Sequence, residues 1–272
     1  MVAVSPEAAA LDLCARLLGV ALALQSVELL QLRPAWSAGG IWTWDVLQDD
    51  QRGFPAPVRG LLAPLLRPFG FTCVVVLRLA AAVLLAAAPT PAVLPVLLAA
   101  QVLIGLRWRG AFNGGSDAMT LVVLLGLCVA ALAPNVPLVQ RGALLHIALQ
   151  AALSYFIAGV VKLRGRRWRD GTALFEFVRC TRYQAPAAAQ RFLARRPVAV
   201  AASWGVMLFD TGFPLGLLHP VACHAVLALA LLFHLANVWL FGLNRFLFAW
   251  AAAWPAVWYA SALLWPEGAT LP

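Results

Sequence analysis

Ser154–Phe175 reads SYFIAGVVKLRGRRWRDGTALF. An apolar helical run carries Lys162 near its end, then gives way to an arginine-dense loop holding Trp168, Asp170 and Gly171. A membrane helix leaves a bilayer in this way, with its apolar body inside and its basic residues in the adjoining loop. An amine at such a boundary snorkels to water, is paired, or is kept partly neutral for chemistry.

The rest of the chain agrees with a membrane reading. Of 272 residues, 63% are hydrophobic and 11% charged, and the mean hydropathy is +0.85. Such a composition cannot cover itself with a polar surface, so we expect an all-α integral membrane protein, a polytopic bundle of about eight transmembrane helices. The runs fall near residues 11–32, 70–88, 91–107, 117–133, 143–163, 198–218, 221–242 and 244–265. All of residues 1–272 are assigned to one membrane domain, with no soluble substrate-recognition domain. No basic leader precedes the first run, which is therefore expected to stay as an anchor.

The net charge of +9 does not point to nucleic acid, because the arginines sit between apolar runs and no nucleic-acid-binding pattern accompanies them. They report topology instead. The first, third, fifth and seventh loops hold sixteen arginines, whereas the second, fourth and sixth hold only Arg141. These counts put the four basic loops in the cytoplasm and both termini outside, in a multi-pass protein of the cell inner (plasma) membrane. The first loop, residues 33–69, carries tryptophans suited to the interface; the fifth is expected to include a surface helix over Thr172–Phe192, with Phe175, Phe177, Arg179 and Arg182 facing anionic headgroups.

Ionisable residues inside spans are costly and need a partner or a task. Asp12 and Arg16 share a helix face and can pair. Glu28 lies near an inner end, and Arg78 nearer mid-span is expected to find a carboxylate in Glu28 or Asp210. His234 and Asn237 are three residues apart, on one face of a later helix; this is either packing or part of a site. Tyr155, Gly159, Lys162 and Arg166 also share a face, where the small Ala158 and Gly159 leave room for a close helix or a flat ligand. His146, His219 and His224 lack comparable company. No cysteine or histidine spacing resembles a metal site, so none is expected.

With those residues in view, Gln150–Leu174, QAALSYFIAGVVKLRGRRWRDGTAL, resembles the signature of the vitamin K-dependent gamma-carboxylase and the bacterial HTTM (horizontally transferred transmembrane) proteins. Tyr155, Phe156, Ala158, Gly159, Lys162, Leu163, Trp168 and Gly171 carry the match. FHLANVWLFGLNRF (residues 233–246), ARLLGVAL around Arg16 and NGGSDAM (residues 113–119) resemble further family segments more loosely.

In the carboxylase the matching lysine deprotonates reduced vitamin K. Oxygenation then produces a strong base, glutamate loses a proton, and the carbanion captures carbon dioxide. The resemblance thus implies a membrane-embedded carboxylase or quinol epoxidase, of lyase or oxidoreductase type. It would use a vitamin K- or menaquinol-like reduced quinone with O2 and CO2 on a small molecule or peptide. Lys162 and His234 would be catalytic, and Tyr155, Gly159, Trp168, Asn237, Arg78 and Asp210 would line the substrate or cofactor site. Two other readings stay open: a non-enzymatic maturation or immunity partner for a secreted peptide, or a lipid-binding scaffold.

Overall fold

The computed structural model describes residues 5–108, 114–180, 183 and 185–265. Of the residues named above, Asn113 and Arg182 lie outside that set, as does Arg109, one of the sixteen loop arginines. Ser5 opens α1 (Pro6–Gln31): its hydroxyl accepts the Ala8 N–H at 3.2 Å, while Pro6 lacks an N–H that the first turn could not have used. Two short turns, α2 (Arg33–Trp36) and α3 (Trp44–Leu47), and the longer α4 (Ala56–Leu66) organise the first loop before α5 (Pro68–Ala87). Then come α6 (Leu94–Arg107), α7 (Gly114–Leu132) and α8 (Pro137–Arg164). The basic loop folds into α9 (Arg166–Arg169), α10 (Thr172–Arg179) and α11 (Ala187–Leu193). The bundle ends with α12 (Arg196–Gly212), α13 (Pro220–Phe241), α14 (Asn244–Ala251) and α15 (Trp254–Leu264).

The all-α membrane bundle is as expected, but among the described residues seven spans, not eight, are long and apolar enough to cross. The exception is α6. Its 14 residues rise about 21 Å at 1.5 Å each, short of a hydrocarbon core of about 30 Å. At the other extreme, the 28 residues of α8 rise about 42 Å, so the end that carries Lys162 can reach the boundary of the apolar layer. The last span is broken: α14 stops at Ala251 and α15 restarts at Trp254, because Pro255 cannot continue the ladder of hydrogen bonds.

α1 runs through the middle, packed on α5, α7, α8, α14 and α15. Leu18, Leu22, Val123, Leu144 and Ile147 are fully buried in the shared core. Where lipid is as apolar as leucine, burial alone does not hold helices together; close packing and polar links carry more of the weight.

The polar links differ in part from expectation. Asp12 and Arg16 do pair, at 2.7 Å. Arg78, which is 1% exposed, meets neither Glu28 nor Asp210; its Nη2 donates to Gln25 Oε1 at 2.7 Å and Gln101 Oε1 at 2.8 Å. Amide oxygens from α1 and α6 thus solvate the cation in place of the predicted carboxylate. Glu28 instead approaches Arg245 at 3.4 Å, and Asp117 bonds the same guanidinium at 2.8 Å.

In the first loop, Trp36 is buried and not interfacial. It flanks Arg107, whose guanidinium lies 4.6 Å from the Phe71 ring centroid. Arg107 donates to the carbonyls of Trp36 at 3.1 Å, Trp42 at 3.2 Å and Leu66.

The predicted Thr172–Phe192 surface helix is two helices, because Pro186 opens a new one at α11. Leu174, Val178, Ala185 and Leu193 form a small core with Val198 and Ala202 of α12, which ties the basic segment to the bundle.

Candidate functional site

A cavity of about 290 Å³ lies between α8, α12 and α13, closed on one side by α9 and α10 and on another by α14. It touches Tyr155, Lys162, Trp168, Asp210, His234 and Asn237. Six of the eight expected site residues therefore converge there. Gly159 stands just behind the wall. Arg78 does not join them; it is held by α1 and α6.

Lys162 meets Asp210 because Gly159 precedes it by one turn on α8. A Cβ built at residue 159 would stand 2.5 Å from the Thr211 nitrogen and 2.9 Å from Asp210 Cβ, so α12 can come this close only against a glycine. At that separation Lys162 Nζ lies 2.5 Å from Asp210 Oδ2, and the side chains are 20% and 2% exposed. Of the three fates open to the amine, pairing is the one realised. A buried carboxylate without this partner would be expensive, which gives the lysine a structural function as well.

Trp168 lines the cavity beside the pair, with Lys162 Nζ 5.5 Å from its ring centroid. Its place depends on the turn that follows. Asp170 Oδ1 accepts the Thr172 N–H at 3.0 Å, and Gly171 adopts a left-handed φ of 79° with its α-carbon pressed against α12 at Val200. Hydrogen bonds from Thr172, side chain first and backbone second, hold the Asp170 carboxyl below the usual carboxylate range. Trp204 of α12 donates to the Arg169 carbonyl at 3.2 Å, a further tie between the loop and the bundle.

At the inner end, Tyr155 Oη lies 2.6 Å from His234 Nε2. These side chains are 4% and 2% exposed. Tyr155 stacks on Phe213 at 4.0 Å, and His234 lies 5.6 Å from the Trp250 ring. His234 Nδ1 has no partner among the described residues. Asn237 reaches the cavity on the expected face, but its amide donates to the Phe233 carbonyl one turn back, at 3.0 Å, and not to His234.

Several lining residues were not foreseen. Trp250 donates to Ser154 Oγ at 3.1 Å and stacks on Phe246 at 5.1 Å with 6° between planes, giving the cavity a flat aromatic wall. No local spacing joins residues 154 and 250, although the concentration of tryptophan after residue 238 is visible in the chain.

Residues 131–261 match the family model of the HTTM domain, the segment that holds Tyr155, Lys162, Asp210 and His234. No curated protein and no solved structure matches the chain.

Proposed function

On the premise that residues 131–261 are an HTTM domain, the membrane-domain family associated with vitamin K-dependent carboxylase, we propose a membrane-embedded quinol-oxidising enzyme. Lys162 and Asp210 act as its proton-accepting unit. The observation that carries this reading is the Lys162–Asp210 pair, 2.5 Å apart, at the edge of an aromatic cavity.

An ammonium already paired to a carboxylate cannot take another proton as it stands. It can pass one of its own to Asp210 Oδ2 and then accept the proton of a hydroxyl placed beside Nζ. The pair as a whole gains one proton, carried as carboxylic acid on Asp210, while Lys162 remains charged beside the oxygen it has deprotonated. Low polarity around the pair strengthens that final attraction.

The residues present suit a reduced quinone: a flat aromatic wall, one charged pair and one neutral phenol–imidazole pair in a space that takes a ring system. A quinol bound there would supply the ionisable hydroxyl and, with O2, the oxidation that drives carboxylation or another modification of a small substrate or peptide. Trp168 and the surrounding apolar side chains limit water at Nζ, so that a proton given up by the ligand stays on the pair.

The test is oxygen uptake by the purified protein in lipid nanodiscs supplied with reduced naphthoquinones, with quinone epoxide followed by mass spectrometry. Lys162→Ala in a folded protein should abolish both signals. Unchanged turnover by that variant, or no uptake by the wild type with any reduced naphthoquinone, would overturn the proposal.

A further inference from the structure

We infer that Gly115, Asp117 and Arg245, which lie outside the cavity lining, fix the width of ring the cavity admits by holding its aromatic wall from behind. The inference rests on the reading of the cavity as a ring-binding site and adds the positioning residues that set its size selection.

Gly115 and Asp117 belong to the NGGSDAM segment and stand in the first turn of α7, which packs on α14. Asp117 Oδ1 accepts from Arg245 Nη2 at 2.8 Å, and Glu28 of α1 approaches Arg245 Nε at 3.4 Å. The Arg245 and Asp117 side chains are 5% and 6% exposed. Turning α14 about its axis would part them and leave a buried charge unmatched, so the helix keeps the rotation that joins them. Phe246 follows Arg245 directly, and Trp250 lies one helical turn beyond Phe246. The rotation that satisfies the guanidinium therefore also aims both rings at the cavity.

Trp250 is held at two edges of its indole. At one, Nε1 donates to Ser154 Oγ of α8 at 3.1 Å. At the other, a Cβ built at residue 115 would stand 3.1 Å from Trp250 Cη2 and 3.3 Å from Phe246 Cε1. Gly115 does not have a left-handed φ, so what the position demands is space and not a special backbone conformation. A side chain there would drive the ring tips away from α7 and toward α8, where Ser154 borders the cavity. Phe246 and Trp250 lie face to face with 6° between their planes, so neither gives way without the other. Close packing passes such a shift on instead of absorbing it. At about 290 Å³ the cavity sits at the lower limit of organic-ligand sites. A wall displaced by a few tenths of an ångström thus removes the slack around two fused rings, while a single ring still fits.

The experiment is isothermal titration calorimetry of the full chain in phosphatidylcholine nanodiscs with 4-methylphenol, 1-naphthol and 9-phenanthrol, which carry one, two and three rings. The readout is the ratio of affinities, which a simple loss of folded protein does not move. Gly115→Val should weaken 1-naphthol about tenfold or more and 4-methylphenol less than about twofold, with Gly115→Ala between that variant and the wild type. Gly142→Val on α8, where no atom stands within 4 Å of the added carbon, is the control and should leave the ratio unchanged. The double variant Asp117→Leu/Arg245→Met removes the tie without stranding either member of the pair. Checked for folding by circular dichroism, it should bind 9-phenanthrol about tenfold tighter than the wild type does. An unchanged ratio in Gly115→Val, whether by equal loss or by none, would overturn the inference and leave the quinol reading standing. No gain of 9-phenanthrol in the folded double variant would overturn the part given to Asp117 and Arg245. Size selection without oxygen uptake would uphold the inference and sink the enzymatic reading, and a folded wild type that binds neither 4-methylphenol nor 1-naphthol would sink both.

Discussion

Gly159 sets the distance between Lys162 and its partner: the missing side chain on α8 is what lets Asp210 on α12 come within 2.5 Å of the amine. A buried ion pair is thereby made dependent on a residue with no chemistry of its own.

Gly159→Ala should therefore act on both stability and the pair. Its new methyl group would meet backbone, which cannot rotate away, so α12 must shift; overpacking of this kind costs about 1–3 kcal/mol. A lower melting temperature by tryptophan fluorescence, together with loss of ligand binding, is the expected result. Gly205→Ala on α12, where no atom stands within 4 Å of the added carbon, is the control and should change little. A Gly159→Ala protein with wild-type stability would show that the two helices do not approach this closely.

The paired charges predict strong non-additivity. Lys162→Met alone leaves a carboxylate 2% exposed without its cation, and breaking such a pair typically costs about 3–5 kcal/mol. The double variant Lys162→Met/Asp210→Leu removes both charges and should recover most of that loss, although not activity. Thermal unfolding of the two single variants and the double variant in one detergent gives the coupling energy directly. If the losses simply add, the ion pair is not formed in the membrane.

Side assignment is the third expectation. The charge bias predicts that Cys180, exposed after α10, will be found on the cytoplasmic side and Ser5 at the head of α1 on the outer side, provided that α6 counts as a crossing. In intact cells, a membrane-impermeant maleimide should label Ser5→Cys in a cysteine-free background, and should reach Cys180, kept as the sole cysteine, only after permeabilisation. Labelling of both from outside would contradict the sidedness of the basic loops. Labelling of neither until the cells are opened would mean that the 14-residue α6 does not span and that Ser5 faces inward.

Long apolar runs made the helices legible, since a span needs only length and hydropathy. The face shared by Tyr155, Gly159 and Lys162 was legible too, because helical spacing is local. What escaped depended on partners distant in sequence. Asp210 stands out in the sequence as a buried charge, but nothing in the chain says that it meets Lys162 and not Arg78. For Arg78 a carboxylate is the obvious answer to a buried charge, whereas two glutamine oxygens from other helices share the work. Helical spacing pairs His234 with Asn237, its neighbour in sequence, yet its partner is Tyr155, 79 positions away. The break in the final span had a visible sign in Pro255, which the run of apolar residues outweighed.

Arg107 bonds carbonyls on both sides of the long first loop, at Trp36 and Trp42 near its start and at Leu66 near its end. One guanidinium thereby staples a thirty-residue excursion shut at its base, as a disulfide would, but with a joint that no reductant can open.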